Sequence, residues 1–433
     1  MSKSKPNINN DVDKTTEDRA EGYKTLDFGC EYTENIPALL KKLNIALAFT
    51  SYQAGRLMLV RSDGESLDVN FKSFKRPMGL VANEDGLTLG VFTQIINFHR
   101  EDGLLDKIKQ PLQDIKDDVT APRIKPKKLN VGESEDLLEE LKENLTQEPV
   151  NELSPEQIEE QKKLDAELLA HQKNLTAPAD ERVDACYITR SAHYSGMINI
   201  HDIDWGDEGL WVVNSSFSCL CTVEPDYSFV PRWKPYFISE LLPEDRCHLN
   251  GMALRDGKPA YVTTFSQYDE VGMWRKGDKF NGTLMDVESN SILVDGLTMP
   301  HSPRWHQNKV YFCNSGYGLI CTYDPLTKKH VTLAEAPGFT RGIDFYGSLM
   351  FVGLSKVRVG DVKTPPPLAE KYDETYSGIW LYNLENNSEI GHIKFTGNVD
   401  QIYDVAVIPN CSFPELIEPS HPRMRNHFSH PKL

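Results

Sequence analysis

Three stretches of the chain share one order of apolar and polar positions. Each begins with a strand-length run that carries a histidine, passes through a turn containing Gly or Asn, and ends in a second, almost wholly apolar run: residues 199–219, 248–264 and 300–315. A hairpin that recurs at intervals of roughly 40 to 60 residues is typical of a β-propeller, in which each copy belongs to one blade. The pattern therefore predicts an all-β propeller.

Opening strands of this kind are predicted at six places: residues 78–81, 200–204, 249–254, 301–305, 341–345 and 402–407. The last is followed by no further strand, whereas the strand-like runs at 45–51, 56–60 and 67–71 lack an opening strand. Pairing them would complete a sixth blade and leave no open edge. We predict a six-bladed propeller over residues 34–100 and 183–410, whose last blade is closed by N- and C-terminal strands. Strands hidden in the region between these ranges would change the count to five or seven.

Between residues 101 and 182 the strand pattern stops, and Glu, Asp, Lys and Leu dominate. Ser154-Pro-Glu-Gln157 supplies an N-cap, a proline at the first helical position and a capping-box glutamine. We predict a charged α-helical insertion here, which is either a solvated arm or a docking element for a protein partner. The polar segments at 1–33 and 411–433 lack periodicity and are predicted to be irregular tails.

Composition narrows the choice of partners. The 433 residues carry a formal net charge of −17, which argues against nucleic acid and against an anionic membrane surface. No apolar run approaches the length of about 20 residues that a membrane span needs, and the N-terminal residues lack the apolar segment of a secretory signal. Eight scattered cysteines without a Cys-x-x-Cys motif indicate reduced thiols. We therefore expect a cytoplasmic protein.

The innermost strand of every blade lines the axis of a propeller, so the first residues of these strands converge there. His201, His248 and His301 come from three successive predicted blades. Three imidazoles suit Zn²⁺, Fe²⁺ or Cu²⁺, whereas Asn and Asp oxygens would suit Ca²⁺ as a second choice. Each histidine could instead be a structural residue that ties one blade to the next. No close-spaced ligand motif decides between these interpretations.

Charged side chains occupy the same predicted positions. Arg304 and Arg341 could each bind the carboxylate or phosphate of an anionic substrate through paired hydrogen bonds. Alternatively, they could form salt bridges with Asp202, Asp344 or Asp404. In the catalytic interpretation, Asp344 or Asp404 orients a ligand or moves a proton, and Arg341 anchors the substrate.

Two further residues are candidates for substrate binding: Asn250, on the opening strand of its blade, and His193, which precedes another opening strand. The chain contains no Gly-x-Ser-x-Gly nucleophile motif, no Gly-rich phosphate loop and no dinucleotide fingerprint. The sequence thus gives a location and a set of side chains for chemistry, but no single reaction.

Several long phrases of the sequence, taken in order, are similar to a known family. They are Thr-Ser-Tyr-Gln-Ala-Gly-Arg-Leu at 50–57, Arg-Pro-Met-Gly-Leu at 76–80, the strand at 210–220, His-Leu-Asn-Gly at 248–251, Met-Pro-His-Ser-Pro-Arg-Trp at 299–305, and the pair 339–345 and 352–358. Together they resemble an uncharacterised, largely bacterial family built on a domain of unknown function. The resemblance implies a propeller-like β fold and no established activity.

A shorter likeness concerns a single strand. Leu-Asn-Gly-Met-Ala at 249–253 is similar to the metal-binding Asn-Gly strand of six-bladed lactonases of the gluconolactonase type. The likeness implies a ligand contact at Asn250, although no matching first-blade glutamate is present.

We therefore predict a cytoplasmic propeller with an axial site for a small, possibly anionic substrate. In this hypothesis His201, His248 and His301 hold a divalent metal, and the reaction is of the hydrolase, lyase or oxygenase type. The alternative is a non-catalytic scaffold that docks a protein through the insertion at 101–182 or through one face of the propeller.

Overall fold

The computed structural model describes residues 27–112, 177–357, 365–418 and 421–430. Its residues form two compact units. The first comprises Met1–Asp102 with Arg182–Glu418, and the second comprises Gly103–Glu181 with Pro419–Leu433. The first unit contains six β-sheets of four or five strands, antiparallel except for one outer pair, so the predicted six-bladed propeller is confirmed.

The blades are numbered along the chain, and each is given from its innermost strand outward. Blade 1 contains Val405–Pro409, Ile45–Ser51, Arg56–Ser62 and Leu67–Ser73, and blade 2 contains Leu80–Ala82, Gly86–Gly90, Gln94–Arg100, Ala185–Tyr194 and Pro414–Ile417. Blade 3 contains Ile200–Gly206, Gly209–Asn214, Cys219–Glu224 and Tyr227–Trp233, and blade 4 contains Leu249–Arg255, Lys258–Thr264, Gly282–Asp286 and Ser291–Leu297. Blade 5 contains Pro300–His306, Lys309–Asn314, Leu319–Asp324 and Lys329–Glu335, and blade 6 contains Phe339–Tyr346, Leu349–Ser355, Gly378–Asn383, Ser388–Phe395 and Cys30–Tyr32.

Blade 1 combines strands from distant parts of the chain. Its innermost strand, Val405–Pro409, pairs antiparallel with Ile45–Ser51, and Ala46 lies opposite Ile408. Apolar side chains of neighbouring blades fill the space between the sheets, as Tyr261 and Leu284 of blade 4 do with Phe312 of blade 5. This packing explains why the second and third strands of most blades read as nearly continuous apolar runs.

Helices are few in the described ranges. The helix Ile36–Leu43 has a proline in its first turn and ends at a left-handed Asn44. The other helical segments are short: Leu105–Ile108, Met273–Lys276 and Leu368–Lys371, with 3₁₀ turns at Asp102–Leu104, Ser315–Tyr317 and Pro422–Asn426. No helix within the described part of the chain is long and apolar enough to cross a membrane.

Both segments predicted as irregular tails contribute an outer strand, so that part of the prediction was wrong. Cys30–Tyr32 pairs antiparallel with the outer strand of blade 6, and Pro414–Ile417 pairs parallel with Ala185–Ile188 of blade 2. Strands this short show no periodicity in the sequence. They form because the fourth strand of a blade leaves unpaired backbone groups at its edge.

The helices predicted in the insertion fall mainly on residues 113–176, which lie outside the described residues. The described flanks form part of the second unit. There the backbone N–H of Ala179 donates to the carbonyl of Ile108 at 2.8 Å, and Arg423 donates to the carbonyl of Gln110 at 2.7 Å.

Aspartates on the inner strands join neighbouring blades. Asp202 of blade 3 accepts a hydrogen bond from the backbone N–H of Met252 in blade 4 at 2.9 Å. The same contact recurs from Asp344 to the N–H of Val407 at 2.7 Å and from Asp404 to the N–H of Leu80 at 3.1 Å. Each aspartate also accepts from the N–H of the residue that follows it. These carboxylates therefore fix the spacing of the inner strands.

A second inter-blade contact repeats near the start of the inner strands. A hydroxyl from the end of the second strand of one blade, or just beyond it, donates to a backbone carbonyl of the next blade. The pairs are Thr50 with Met78, Ser215 with Leu249, Ser315 with Thr340, and Ser355 with Ile402. We call this end of the axis the hub entrance.

Candidate functional site

Left-handed residues at the hub entrance orient two of the predicted histidines. Asn199 has φ of 57° and Met299 has φ of 51°, and each stands two residues before a histidine. The Nδ1 atom of His201 lies 2.8 Å from the carbonyl oxygen of Asn199, and that of His301 lies 2.9 Å from the carbonyl oxygen of Met299. Because a carbonyl can only accept, Nδ1 carries the proton in both rings, and Nε2 keeps its lone pair.

His248 is held differently. It is itself the left-handed residue, with φ of 52°, and its Nδ1 lies 2.9 Å from a carboxylate oxygen of Asp245. The indole of Trp274 stacks on the imidazole with ring centroids 3.8 Å apart, and its N–H donates to the same carboxylate at 3.1 Å. Nδ1 of His248 therefore contacts a carboxyl group, whereas Nδ1 of His201 and of His301 contacts a backbone carbonyl.

Ring contacts connect the three histidines around the hub entrance. His201 lies 4.6 Å from His248 and 5.6 Å from Tyr403, measured between ring centroids, and the Arg341 guanidinium lies 3.7 Å above the Tyr403 ring. Phe265 bridges His248 and His301 at 4.5 and 5.0 Å. We call this set the hub ring: His201, His248, Phe265, His301, Arg341 and Tyr403. Its members come from blades 3 to 6 and from the segment that leads into the inner strand of blade 1.

Burial controls the charge of the hub ring. It lowers the pKa values of His201 and His301 well below their usual value, and the positive charge of Arg341 acts in the same direction. Burial likewise raises the pKa of the Tyr403 hydroxyl. Two imidazoles and one phenol of the ring are therefore neutral at pH 7, and Arg341 supplies a positive charge.

Several buried polar atoms of this region have no hydrogen-bond partner among the described residues. They are Nε2 of His301, the hydroxyl of Tyr403, Nε of Arg341 and, on the inner strand of blade 4, Nδ2 of Asn250. Buried polar atoms are normally satisfied, so a group of unsatisfied ones is unusual and calls for an explanation such as a bound molecule. The oxygen of the Asn250 amide, in contrast, accepts from Thr263 at 2.7 Å.

The two predicted anion-binding arginines have different surroundings. Arg304 forms two hydrogen bonds with Asp202, at 2.7 and 3.1 Å, and lies 3.4 Å from Asp404. Its guanidinium is therefore committed to an internal ion pair, as one of the two sequence interpretations expected. Arg341 forms no salt bridge with a carboxylate in the described ranges.

The predicted catalytic aspartates lie among these inter-blade contacts. Both carboxylate oxygens of Asp344 and of Asp404 accept from backbone N–H groups, which gives the two side chains a structural role. Burial raises the pKa of Asp404 to about 8 and also raises that of Asp344. Asp404 nevertheless adjoins Tyr403 in sequence and so stands next to the hub ring.

His193 does not join the hub ring. It lies on the fourth strand of blade 2, where its Nε2 is 2.9 Å from the carbonyl oxygen of Ser228 in blade 3. A separate surface cavity of about 290 Å³, lined by Thr88, Asn97 and Trp205 among others, contains none of the hub-ring side chains.

The fit to a metal ion is incomplete. Each histidine forms a hydrogen bond through Nδ1, which is usual for imidazoles that bind a metal through Nε2. However, the described residues contain no group of three or more His, Cys, Asp or Glu side chains that could hold one ion as they stand.

The sequence analysis missed four residues of this region: Asp245, Phe265, Trp274 and Tyr403. Asp245 lies in the connection 234–248, whereas Phe265 and Trp274 lie in the connection 265–281, Trp274 within the short helix Met273–Lys276. Neither connection shows periodicity in the sequence, and the approach of these side chains to His248 depends on its conformation. Tyr403 could have been found, because it directly precedes an aspartate that was predicted at the axis.

A family model described as "Domain of unknown function (DUF4915)" matches residues 34–127 and 155–417. The search of curated proteins returned no match to the sequence. Among solved structures, one titled "Crystal structure of Nidogen/Laminin Complex" shows 9% identity, covers 85% of this chain and 99% of that chain, and has a TM-score of 0.45.

Proposed function

Since the chain belongs to the DUF4915 family, whose description names no activity, we propose its function from the hub ring: this region binds a small organic anion. The observation that carries the proposal is the contrast between the two arginines. Arg304 forms a salt bridge with the buried Asp202, whereas Arg341 lies over Tyr403 without a carboxylate partner among the described residues. A partly buried guanidinium of this kind is a ready site for a carboxylate or phosphate group.

The remaining hub-ring atoms favour an anion that also carries hydroxyl groups. The neutral imidazoles of His201 and His301 offer nitrogen lone pairs, which accept hydrogen bonds from hydroxyls. The unpartnered hydroxyl of Tyr403 and amide nitrogen of Asn250 can donate to oxygen atoms of the ligand. A hydroxylated carboxylate or a phosphate ester would satisfy both kinds of group.

The test is a ligand screen with a matched pair of variants. A panel of small carboxylates and phosphates is examined by saturation-transfer NMR with the wild type, with Arg341→Gln and with Arg255→Gln. Arg255 also lies over aromatic rings, 5.6 Å from Tyr261 and 5.5 Å from Trp305, but it is not part of the hub ring. Affinity should fall about tenfold or more in Arg341→Gln, because a charge-assisted hydrogen bond contributes about 1.5–3 kcal/mol. It should be unchanged in Arg255→Gln.

Two results would contradict the proposal. The first is that no member of the panel binds to the wild type. The second is that Arg341→Gln binds the panel as tightly as Arg255→Gln.

A metal ion at the hub ring is a second candidate, and the bonding of Nδ1 in all three histidines is the observation that favours it. We propose His201, His248 and His301 as its ligands, with Zn, Fe or Cu as the ion and Ca as a second choice. Elemental analysis of the purified wild type, His248→Ala and His301→Ala decides the matter. Metal should be present in the first and lost in the others, whereas negligible metal in all three excludes this candidate.

We also propose ring closure by terminal strands, a cytoplasmic location and a helical insertion, each on a separate observation. The pairing of Val405–Pro409 with Ile45–Ser51 supports closure of the ring by strands from both ends of the propeller segment. Eight unpaired cysteines, seven of them buried, support a cytoplasmic location. The charged composition of residues 101–182 supports the predicted helical insertion, which could dock a protein partner.

A further inference from the structure

A left-handed residue with a permanent positive charge stands at the hub entrance in blade 2. Arg76 has φ of 51° and precedes Met78 by two residues, just as the left-handed Asn199 of blade 3 precedes His201. The carbonyl of Met78 accepts from the hydroxyl of Thr50, which is one of the inter-blade contacts that mark the hub entrance. Arg76 therefore occupies the position in blade 2 that a neutral residue occupies in blade 3.

Asn199 connects Arg76 with the hub ring. Nη2 of Arg76 donates to the side-chain oxygen of Asn199 at 3.1 Å, and the backbone carbonyl of the same Asn199 lies 2.8 Å from Nδ1 of His201. Burial is the main cause of the lowered pKa of His201, and the positive charges of Arg341 and of Arg76 act in the same direction. Two guanidiniums thus lie within electrostatic range of one imidazole of the hub ring.

Both guanidiniums keep hydrogen-bond donors for a ligand. Neither forms a salt bridge with a carboxylate in the described part of the chain: Arg341 lies over the rings of Tyr403 and Tyr52, at 3.7 and 5.8 Å, and Arg76 donates to a neutral amide. A guanidinium has five N–H donors, so one contact of this kind leaves most of them available. The site accordingly offers two positive charges.

We propose that Arg76 is a second anion-binding residue of the hub site and that the ligand carries two anionic groups on a hydroxylated carbon chain. This inference rests on the proposed binding of a hydroxylated anion. One anionic group pairs with Arg341 and the other with Arg76. His201, which is linked to the two arginines through Tyr403 and Asn199, accepts a hydrogen bond from a hydroxyl of the connecting chain.

The charge of the whole protein makes the second arginine necessary. The formal net charge of −17 repels a dianion, and the repulsion grows with the charge of the ligand. Local positive charges at the binding site have to offset it. Arg304 cannot contribute, because its guanidinium pairs with Asp202.

The test uses matched pairs of probes that share a carbon chain and differ by one anionic group. The pairs are glycerate with phosphoglycerate, threonate with tartrate, and xylonate with xylarate. Isothermal titration calorimetry with the full-length protein gives the dissociation constants for the wild type, Arg76→Gln, Arg341→Gln and Lys75→Gln. The buffer contains about 150 mM NaCl, which screens charges that do not contact the ligand.

We expect the wild type to bind the dianion of at least one pair about fivefold more tightly than its monoanion, which is the contribution of a favourable exposed ion pair. In Arg76→Gln the dianion should lose about fivefold in affinity while the monoanion keeps its own, so the preference disappears. Arg341→Gln should weaken both members of the pair.

Lys75→Gln is the matched control. It removes the same charge one residue away from Arg76, and the Lys75 ammonium lies over the ring of Phe92 at 4.5 Å rather than against Asn199. This variant should keep the preference for the dianion. The inference is overturned if the wild type binds both members of every pair equally, if Arg76→Gln keeps the preference, or if Lys75→Gln loses it as well.

The failure of this inference is distinguishable from the failure of the proposed function. Monoanions that bind and depend on Arg341, without any preference for dianions, would support the anion site and reject only the role of Arg76. If no member of any pair binds to the wild type, the anion site itself is rejected, and the role of Arg76 with it.

Discussion

Replacement of Asp202 by alanine is expected to destabilise the propeller strongly, because one side chain serves three inter-blade contacts. It accepts two hydrogen bonds from Arg304 and one from the backbone N–H of Met252, and it is almost fully buried. Breaking a buried ion pair while its partner stays inside costs about 3–5 kcal/mol. Asp404, at 3.4 Å, still faces the arginine in the variant, and removal of the Asp202 charge, which helps to raise the pKa of Asp404, favours its ionised form. We therefore expect a loss near the lower end, about 3 kcal/mol in the free energy of unfolding.

Urea denaturation followed by tryptophan fluorescence and far-UV circular dichroism measures this loss. Asp202→Asn keeps an oxygen that can accept from Met252 but removes the charge, so its stability should lie between those of the wild type and the alanine variant. Glu224→Gln is the control: Glu224 pairs with Arg232 at 2.7 Å, but both side chains are about 40% exposed. Exposed pairs contribute at most about 1 kcal/mol. An alanine variant as stable as this control would refute the structural role assigned to the inner-strand aspartates.

Two further predictions concern pH and the insertion. Burial raises the pKa of Asp404 to about 8, whereas an aspartate of the unfolded chain loses its proton near pH 4. The proton bound by the folded protein therefore stabilises it at low pH, and this stabilisation is lost as the pH rises from about 4 to about 8. Between pH 6.5 and 8 the free energy of unfolding, measured by urea titration, should therefore fall more steeply in the wild type than in Asp404→Asn, by about 1 kcal/mol per pH unit; equal slopes would contradict the assignment. Replacement of residues 113–176 by a short Gly-Ser linker should leave anion affinity in the NMR screen unchanged, because the hub ring lies in the other unit and Ala179 already meets Ile108. Loss of binding would show that the ligand contacts the insertion instead.

The sequence predicted most of the architecture because a repeated hairpin carries its signal locally. Alternation, turns and apolar runs identified the strands of each blade, and placement of these strands around one axis brought His201, His248 and His301 into one ring system. The short outer strands at 30–32 and 414–417 were missed, because each pairs with the edge of a sheet formed by a distant part of the chain.

The roles of individual side chains were harder to predict than their positions. Arg304 and Arg341 look alike in sequence, and only the approach of Asp202, 102 residues away, separates a committed guanidinium from an available one. Asp245 and Trp274 become partners of His248 through loop conformations that no periodicity records. The contacts of these side chains are thus decided by the folded conformation, which a linear pattern does not contain.

The pairing of Val405–Pro409 with Ile45–Ser51 also means that blade 1 can be completed only late in synthesis of the chain. A ribosome must translate more than 350 codons after residue 51 before the partner strand of Ile45–Ser51 leaves the exit tunnel. Until then the emerging blades form an incomplete arc whose first sheet exposes an unpaired edge, and such edges attract chaperones or misfolding partners. Tyr403 lies just before that strand, so the hub ring also stays incomplete until the same late stage of synthesis.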